Sequence, residues 1–191
     1  MTGVQMIKGC LKTVLLASLL VSTTALHASQ TYLFSQNDFA GGGSISGSFS
    51  GSDLNQDGFL QGSTFEADGL AELTSFTVTW SGNATIPEFV HTLTDLTYFS
   101  FDLSKATLGE VSPEGIATKW LGSSGYQYLS GQGVNAFDGS YVRDANSEEY
   151  VETFALTQVS AVPLPGAIWL FAPVLFGLTR VGHRKAENPS C

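Results

Sequence analysis

The chain has 191 residues, with 17 acidic against 8 basic side chains and a net charge of −9 at neutral pH. Such a balance excludes a nucleic-acid-binding protein, because its surface repels a polyanion. With only two cysteines, Cys10 and Cys191, a disulfide-dense scaffold is excluded as well.

The N-terminal segment reads as a secretory signal peptide. Lys8 and Lys12 form a positive region, Val14 to Val21 is a short apolar core, Ser22, Thr23, Thr24 and Ala25 are small or polar, and Leu26-His27-Ala28 gives a cleavage site after Ala28, with a cut after Ala25 as the alternative. The apolar core is too short for a permanent span. Cys10 follows Ile7-Lys8-Gly9 and has no lipoprotein context.

Residues 29–160 are expected to form an all-β ectodomain. Gly, Ser, Thr and aromatic residues dominate, and no segment keeps a helical period. Alternation of period two runs through Ser44–Ser50, through Phe76, Val78 and Trp80, and through Phe99, Phe101 and Leu103. Thr31–Ser35, Phe89–Leu93, Tyr126–Ser130 and Tyr150–Val159 are further strand candidates. Short strands between Gly, Asn, Asp and Ser turns predict a two-sheet β-sandwich. Val111–Ile116, with Pro113 and Gly115, reads as a loop, and Ser160–Val162 as a hinge.

One stretch has metal-ligand spacing. Asp53, Asn55 and Asp57 place oxygens at alternate positions, Gly58 permits a sharp turn, and the backbone carbonyl of Phe59 completes the start of a calcium loop. Thr64 stands where a bidentate Glu should close it. Glu66 or Glu72 is the candidate replacement, returned by one or two helical turns between Glu66 and Leu73. The competing reading is a polar turn held by Asx hydrogen bonds. Both stand at this point.

Signals for catalysis are sparse. His91 is the lone histidine of the ectodomain and sits in a strand candidate, where a packed or surface-exposed side chain is expected rather than a catalytic one. No Gly-x-Ser-x-Gly elbow is present, and Gly41-Gly42-Gly43 lacks the Lys-Ser/Thr ending of a phosphate loop. Glu148-Glu149 sit in an expected turn. The chain is therefore expected to be non-enzymatic. Tyr126, Tyr128 and Tyr141 are candidates for an aromatic sugar-binding face, with core or cross-strand packing as the alternative.

Residues 161–185 form a distinct tail. Val162-Pro163-Leu164-Pro165 opens an apolar stretch expected to cross the membrane as a helix over 166–181. Arg180, Arg184 and Lys185 follow as a basic stop, and residues 186–191 end on the cytoplasmic side. The order of proline motif, apolar stretch and terminal basic cluster resembles the PEP-CTERM sorting tail of exported bacterial proteins, in its Val-Pro-Leu-Pro-Ala variant. Gly166 stands where that variant has Ala, and the Thr-Gly of a sortase motif is missing. Gly47–Asp53, Asp57-Gly58, the alternating Phe76, Val78 and Trp80, and Ser81-Gly82-Asn83 look like ectodomains often found ahead of such tails.

That resemblance implies a processing route and partners. Signal peptidase would act after Ala28, and an exosortase-type protease near Pro165, releasing or attaching a precursor first held in the inner membrane. The expected product is a surface or extracellular-matrix protein linked to exopolysaccharide or biofilm. The alternative is a carbohydrate-binding module on the cell surface. A body from Ser29 to about Pro165 keeps no cysteine. It retains three basic residues, Lys105, Lys119 and Arg143, against sixteen acids, a net charge of −13.

Overall fold

A computed structural model of the chain describes residues 29–163 apart from 123, 135, 137 and 138. The signal peptide, the apolar stretch and basic stop of the tail, and Leu164 and Pro165 of the sorting motif lie outside the described residues. Among the described residues no helix is long and apolar enough to cross a membrane.

The all-β expectation holds, and the strands form two antiparallel sheets of six strands each. They are β1 (Gln30–Gln36), β2 (Ile45–Gly51), β3 (Phe59–Ser63), β4 (Leu73–Trp80), β5 (Phe89–Thr92), β6 (Leu96–Asp102), β7 (Thr107–Leu108), β8 (Gly115–Thr118), β9 (Tyr126–Ser130), β10 (Ser140–Asp144), β11 (Tyr150–Thr153) and β12 (Thr157–Ala161). The first sheet has the order β5-β4-β2-β1-β12-β7, and the second β11-β10-β9-β8-β6-β3. One short 3-10 turn, Gln132–Val134, follows β9.

Alternation builds the core. Phe76, Val78 and Trp80 of β4 turn inward, as do Phe99 and Phe101 of β6. Leu103 lies past the end of β6 and is only partly buried against the same cluster. Phe49 of β2 joins the layers: its ring centroid is 4.7 Å from that of Phe99, 5.5 Å from that of Phe101 and 5.0 Å from that of Tyr32. Burying such a side chain stabilises the fold by roughly 1.5–3 kcal/mol. Gly47 makes room beside it, since a Cβ there would come within 2.4 Å of the Phe34 ring.

Three expectations for the strands are corrected. Tyr150–Val159 is not one strand: it breaks at Phe154–Leu156, and its halves belong to different sheets. Gly115 and Ile116, read as loop, open β8, every residue of which is buried. Its outer face is covered by a second cluster of Ala117, Leu129, Val134 and Ala136, with Trp120, Tyr98 and Tyr141 around it. Ser160 and Ala161, read as hinge, are the last residues of β12, and the Val162 N–H still donates to the Thr31 carbonyl at 2.8 Å.

Candidate functional site

The acidic loop leaves the sandwich after Gly51, which pairs with Gln30 at the start of β1. The start of β1 and the end of β12 therefore share this pole, since β12 runs antiparallel beside β1. Gln56 and Gly58 take positive φ, and this turns the backbone N–H groups onto the Asp53 carboxylate. Asp53 Oδ1 accepts from the N–H of Gln56 at 2.6 Å and of Asp57 at 3.2 Å, and Oδ2 from that of Gly58 at 2.9 Å. Asn55 Oδ1 accepts from the Asp57 N–H, and Asp57 Oδ1 from the Phe59 N–H. Asp57 Oδ2 receives the amide groups of Asn55 and Gln61 at 3.1 and 2.7 Å.

The segment after β3 makes turns and no helix, contrary to the expected helical turns from Glu66 to Leu73. It nevertheless returns a carboxylate to the loop. Glu72 is buried, its Oε1 accepts from the N–H of Leu54 and Asn55 at 3.0 and 3.4 Å, and its Oε2 accepts from Gln61 N–H at 2.9 Å. Glu66 and Asp68 line a cavity of about 340 Å³ together with Asn55, Gln61 and Glu72. Among the described residues no three His, Cys, Asp or Glu side chains converge as a metal-ligand group. The donor set itself suits a hard cation, with two carboxylates and an amide oxygen. Asp53 Oδ2, Asn55 Oδ1 and Asp57 Oδ1 each accept one of these N–H groups and keep a second lone pair, whereas Asp53 Oδ1, Asp57 Oδ2 and Glu72 Oε1 already accept two donors.

The tyrosines do not share one face. Tyr128 is fully buried, and Tyr126 stacks on Phe89 with centroids 5.1 Å apart. Tyr141 pairs with Leu129 of β9, whose side chain points away from the main core, so Tyr141 lies on the outer surface of the second sheet. There it lines a cleft of about 350 Å³ with Arg143, Glu148 and Tyr150. The β10–β11 register explains the grouping: Arg143 pairs with Tyr150 and Tyr141 with Glu152, while Val142 and Val151 point inward. Tyr150 is 60% exposed. The intervening turn is fixed by Asp144, whose Oδ1 accepts from Asn146 N–H at 2.9 Å and whose Oδ2 accepts from the Ser147 hydroxyl at 3.2 Å. The Asp144 N–H donates to the Glu149 carbonyl at 2.9 Å, so the turn runs over Ala145–Glu148, and this register brings Tyr150 beside Arg143.

Of the two readings of His91, packed or surface-exposed, the structure shows the packed one. The residue is 3% exposed, lies against Phe89, and its Nδ1 is 2.8 Å from Thr118 Oγ1 of the opposite sheet. Burial lowers its pKa, with Lys119 acting in the same direction and Asp95 opposing.

A second cavity, of about 490 Å³, opens beside β7 and is floored by Ser130, Ser140 and Thr157 with Phe154 at its rim. Those hydroxyls belong to a buried network with Gln36 and Tyr128. Within the sorting motif, Val162 and Pro163 are described; the Val162 carbonyl accepts from Gln30 Nε2 at 2.9 Å. No family model, curated protein or solved structure matches the chain.

Proposed function

We propose that this chain is an exported, non-enzymatic surface or extracellular-matrix protein, a β-sandwich carried to the membrane on a C-terminal sorting tail. The observation that carries the reading is the position of the sandwich within the chain. Its first strand begins at Gln30, just after the expected signal-peptide cut, and its last ends at Ala161, just before Val162-Pro163-Leu164-Pro165. The two ends leave side by side, held by the bonds between Val162 and the start of β1, so a single pole faces the membrane in the precursor. Linkage to exopolysaccharide belongs to the same proposal, as does a calcium ion on Asp53, Asn55, Asp57 and the Phe59 carbonyl.

Intact-mass measurement of the exported form tests it. The expected mass corresponds to residues 29 to about 165, with both ends removed, because signal peptidase and the sorting protease cut at motifs of these kinds. Replacing Pro163 and Pro165 with Ala should leave a longer, membrane-retained form. Processing of that variant like the wild type would sink the sorting reading. A second reading, a carbohydrate-binding module, is favoured by the cleft between Tyr141 and Tyr150.

A further inference from the structure

The geometry points to the Tyr141–Arg143–Glu148–Tyr150 cleft as a binding site for a neutral pyranose unit of a polysaccharide. The inference rests on the carbohydrate-binding reading and assigns it a site and a ligand class. Four observations carry it.

An aromatic ring 60% exposed at the edge of a sheet is an apolar surface left in water. Tyr150 has Tyr141 as its diagonal neighbour across the β10–β11 pair, so the two rings border the same cleft. Tyr141 is anchored from beneath by the outer cluster of the second sheet. Rings of this kind offer a rigid apolar face with a polar tip. The C–H face of a pyranose is the complementary surface.

Arg143 is the second observation. Lys105 is paired with Glu114 at 3.2 Å and Lys119 with Asp95 at 3.4 Å. Arg143 makes no ion pair or side-chain hydrogen bond among the described residues, although the body carries sixteen acids. Its guanidinium presents five donors in a planar fork. Glu148 supplies an acceptor in the same cleft. A donor fork beside a carboxylate matches the mixed donor and acceptor character of adjacent sugar hydroxyls.

Charge decides between a neutral and an acidic sugar. Asp144 follows Arg143, Glu148 and Glu149 precede Tyr150, and Glu152 pairs with Tyr141. Arg143 is the one basic residue against these four acids of the β10–β11 hairpin, so the hairpin carries a negative field, which disfavours a uronate. The volume of about 350 Å³ falls at the low end of small-molecule sites, roughly 300–1,000 Å³, and suits one or two sugar rings. The cleft is also preset: the Asp144 side chain and the positive φ of Glu148 hold the turn. Binding therefore pays little for ordering.

The test is affinity electrophoresis of the full chain in gels containing soluble polysaccharide: dextran, hydroxyethyl cellulose, galactomannan and glycogen as neutral probes, alginate and polygalacturonate as acidic ones. At least one neutral polysaccharide should retard the wild type. Tyr150→Ala and Arg143→Lys should each weaken that retardation about tenfold or more, as loss of an aromatic or bidentate anchor does. Arg143→Lys keeps the charge and the fold, and near-UV circular dichroism checks that Tyr150→Ala stays folded. Retardation by a neutral polysaccharide that survives both substitutions overturns the site but leaves the carbohydrate-binding reading standing. Retardation by the acidic probes alone overturns the ligand class. No retardation by any probe overturns both.

Discussion

Tyr128 of β9 and Gln36 of β1 meet in the interior, the phenol donating to Gln36 Oε1 at 2.8 Å and so tying the second sheet to the first. The bond is part of a closed circuit. Gln36 Nε2 donates to Ser140 Oγ at 2.9 Å, and Ser140 donates to Ser130 Oγ at 2.8 Å. Ser130 lies 2.9 Å from Thr157 Oγ1, which is 3.3 Å from the Tyr128 oxygen. Giving each hydroxyl one donated proton closes the ring: Tyr128, Gln36, Ser140, Ser130, Thr157 and back to Tyr128. All five residues are buried, and Tyr128 and Gln36 do not line the cavity floored by Ser130, Ser140 and Thr157, so removing the phenol oxygen leaves Gln36 Oε1 without its donor in the interior.

Tyr128→Phe is therefore expected to destabilise the fold by about 1–3 kcal/mol, although it removes a single oxygen. Pairing it with Thr157→Val should show non-additive losses in a double-mutant cycle of urea melts. Additive losses would mean the circuit does not act as a unit. Burial pushes the Tyr128 pKa up to about 12 from 10.0. A raised folded-state value means stability present below pH 10 and lost as pH climbs towards 12. Tyr128→Phe should flatten that alkaline loss.

Phe101 and Thr77 separate core from surface. Phe101 is fully buried, while Thr77 points outward between inward-facing Phe76 and Val78. Phe101→Ala should cost about 3–5 kcal/mol, a large share of the roughly 5–15 kcal/mol typical of a domain. Thr77→Ala should stay within about 0.5 kcal/mol, as exposed substitutions do. Denaturant midpoints that shift equally for both would remove the packing account of the alternation.

The same alternation shows how far the sequence is legible. Across Val151–Val159 the odd positions turn inward without a break, apart from a half-buried Ala155. The chain nevertheless leaves one sheet and enters the other between Thr153 and Thr157. Both sheets face one core, so a crossing segment keeps its inward side, and no Gly, Pro, Asn or Asp marks the change. β8 is hidden for the opposite reason: covered on both faces, it has no alternation to read. The acidic loop was legible because ligand spacing is local. The Tyr141–Tyr150 cleft was not, because it depends on the β10–β11 register, and β10 itself went unpredicted.

His91 predicts an acid limb. Its pKa is lowered from 6.5, chiefly by burial, so the unfolded chain binds the proton more readily than the folded one. The sign follows: stability is full above about pH 6.5 and declines as the pH falls below it. Thermal melts between pH 7 and pH 5 should show that decline, and His91→Leu should lessen it relative to wild type. The groups facing the ring are Thr118, Phe89, Asp95 and Lys119. Burial pushes the Asp95 carboxyl up, but the Thr92 N–H, His91 and Lys119 together hold it below its usual value. Its titration therefore falls below the histidine window. A slope unchanged in His91→Leu would assign the limb to other groups.

The acidic loop makes a double prediction. Its turns are already satisfied by N–H donors around Asp53, Asn55, Asp57 and Glu72, so the fold should not require an ion, and EDTA should leave the circular dichroism unchanged. Calcium on the remaining lone pairs should still stabilise the folded state by mass action. Extracellular modules bind in roughly the 0.1–1 mM range. At ten times such a dissociation constant the gain is about 1.4 kcal/mol, enough for a melting-temperature rise of several degrees. Magnesium should do less, since the loop does not impose its strict octahedron. Asp57→Ala should abolish the calcium shift, while its own cost without calcium reports the lost bonds to Phe59, Asn55 and Gln61. A wild type that melts at the same temperature with and without millimolar calcium would leave those bonds as the whole role of the loop.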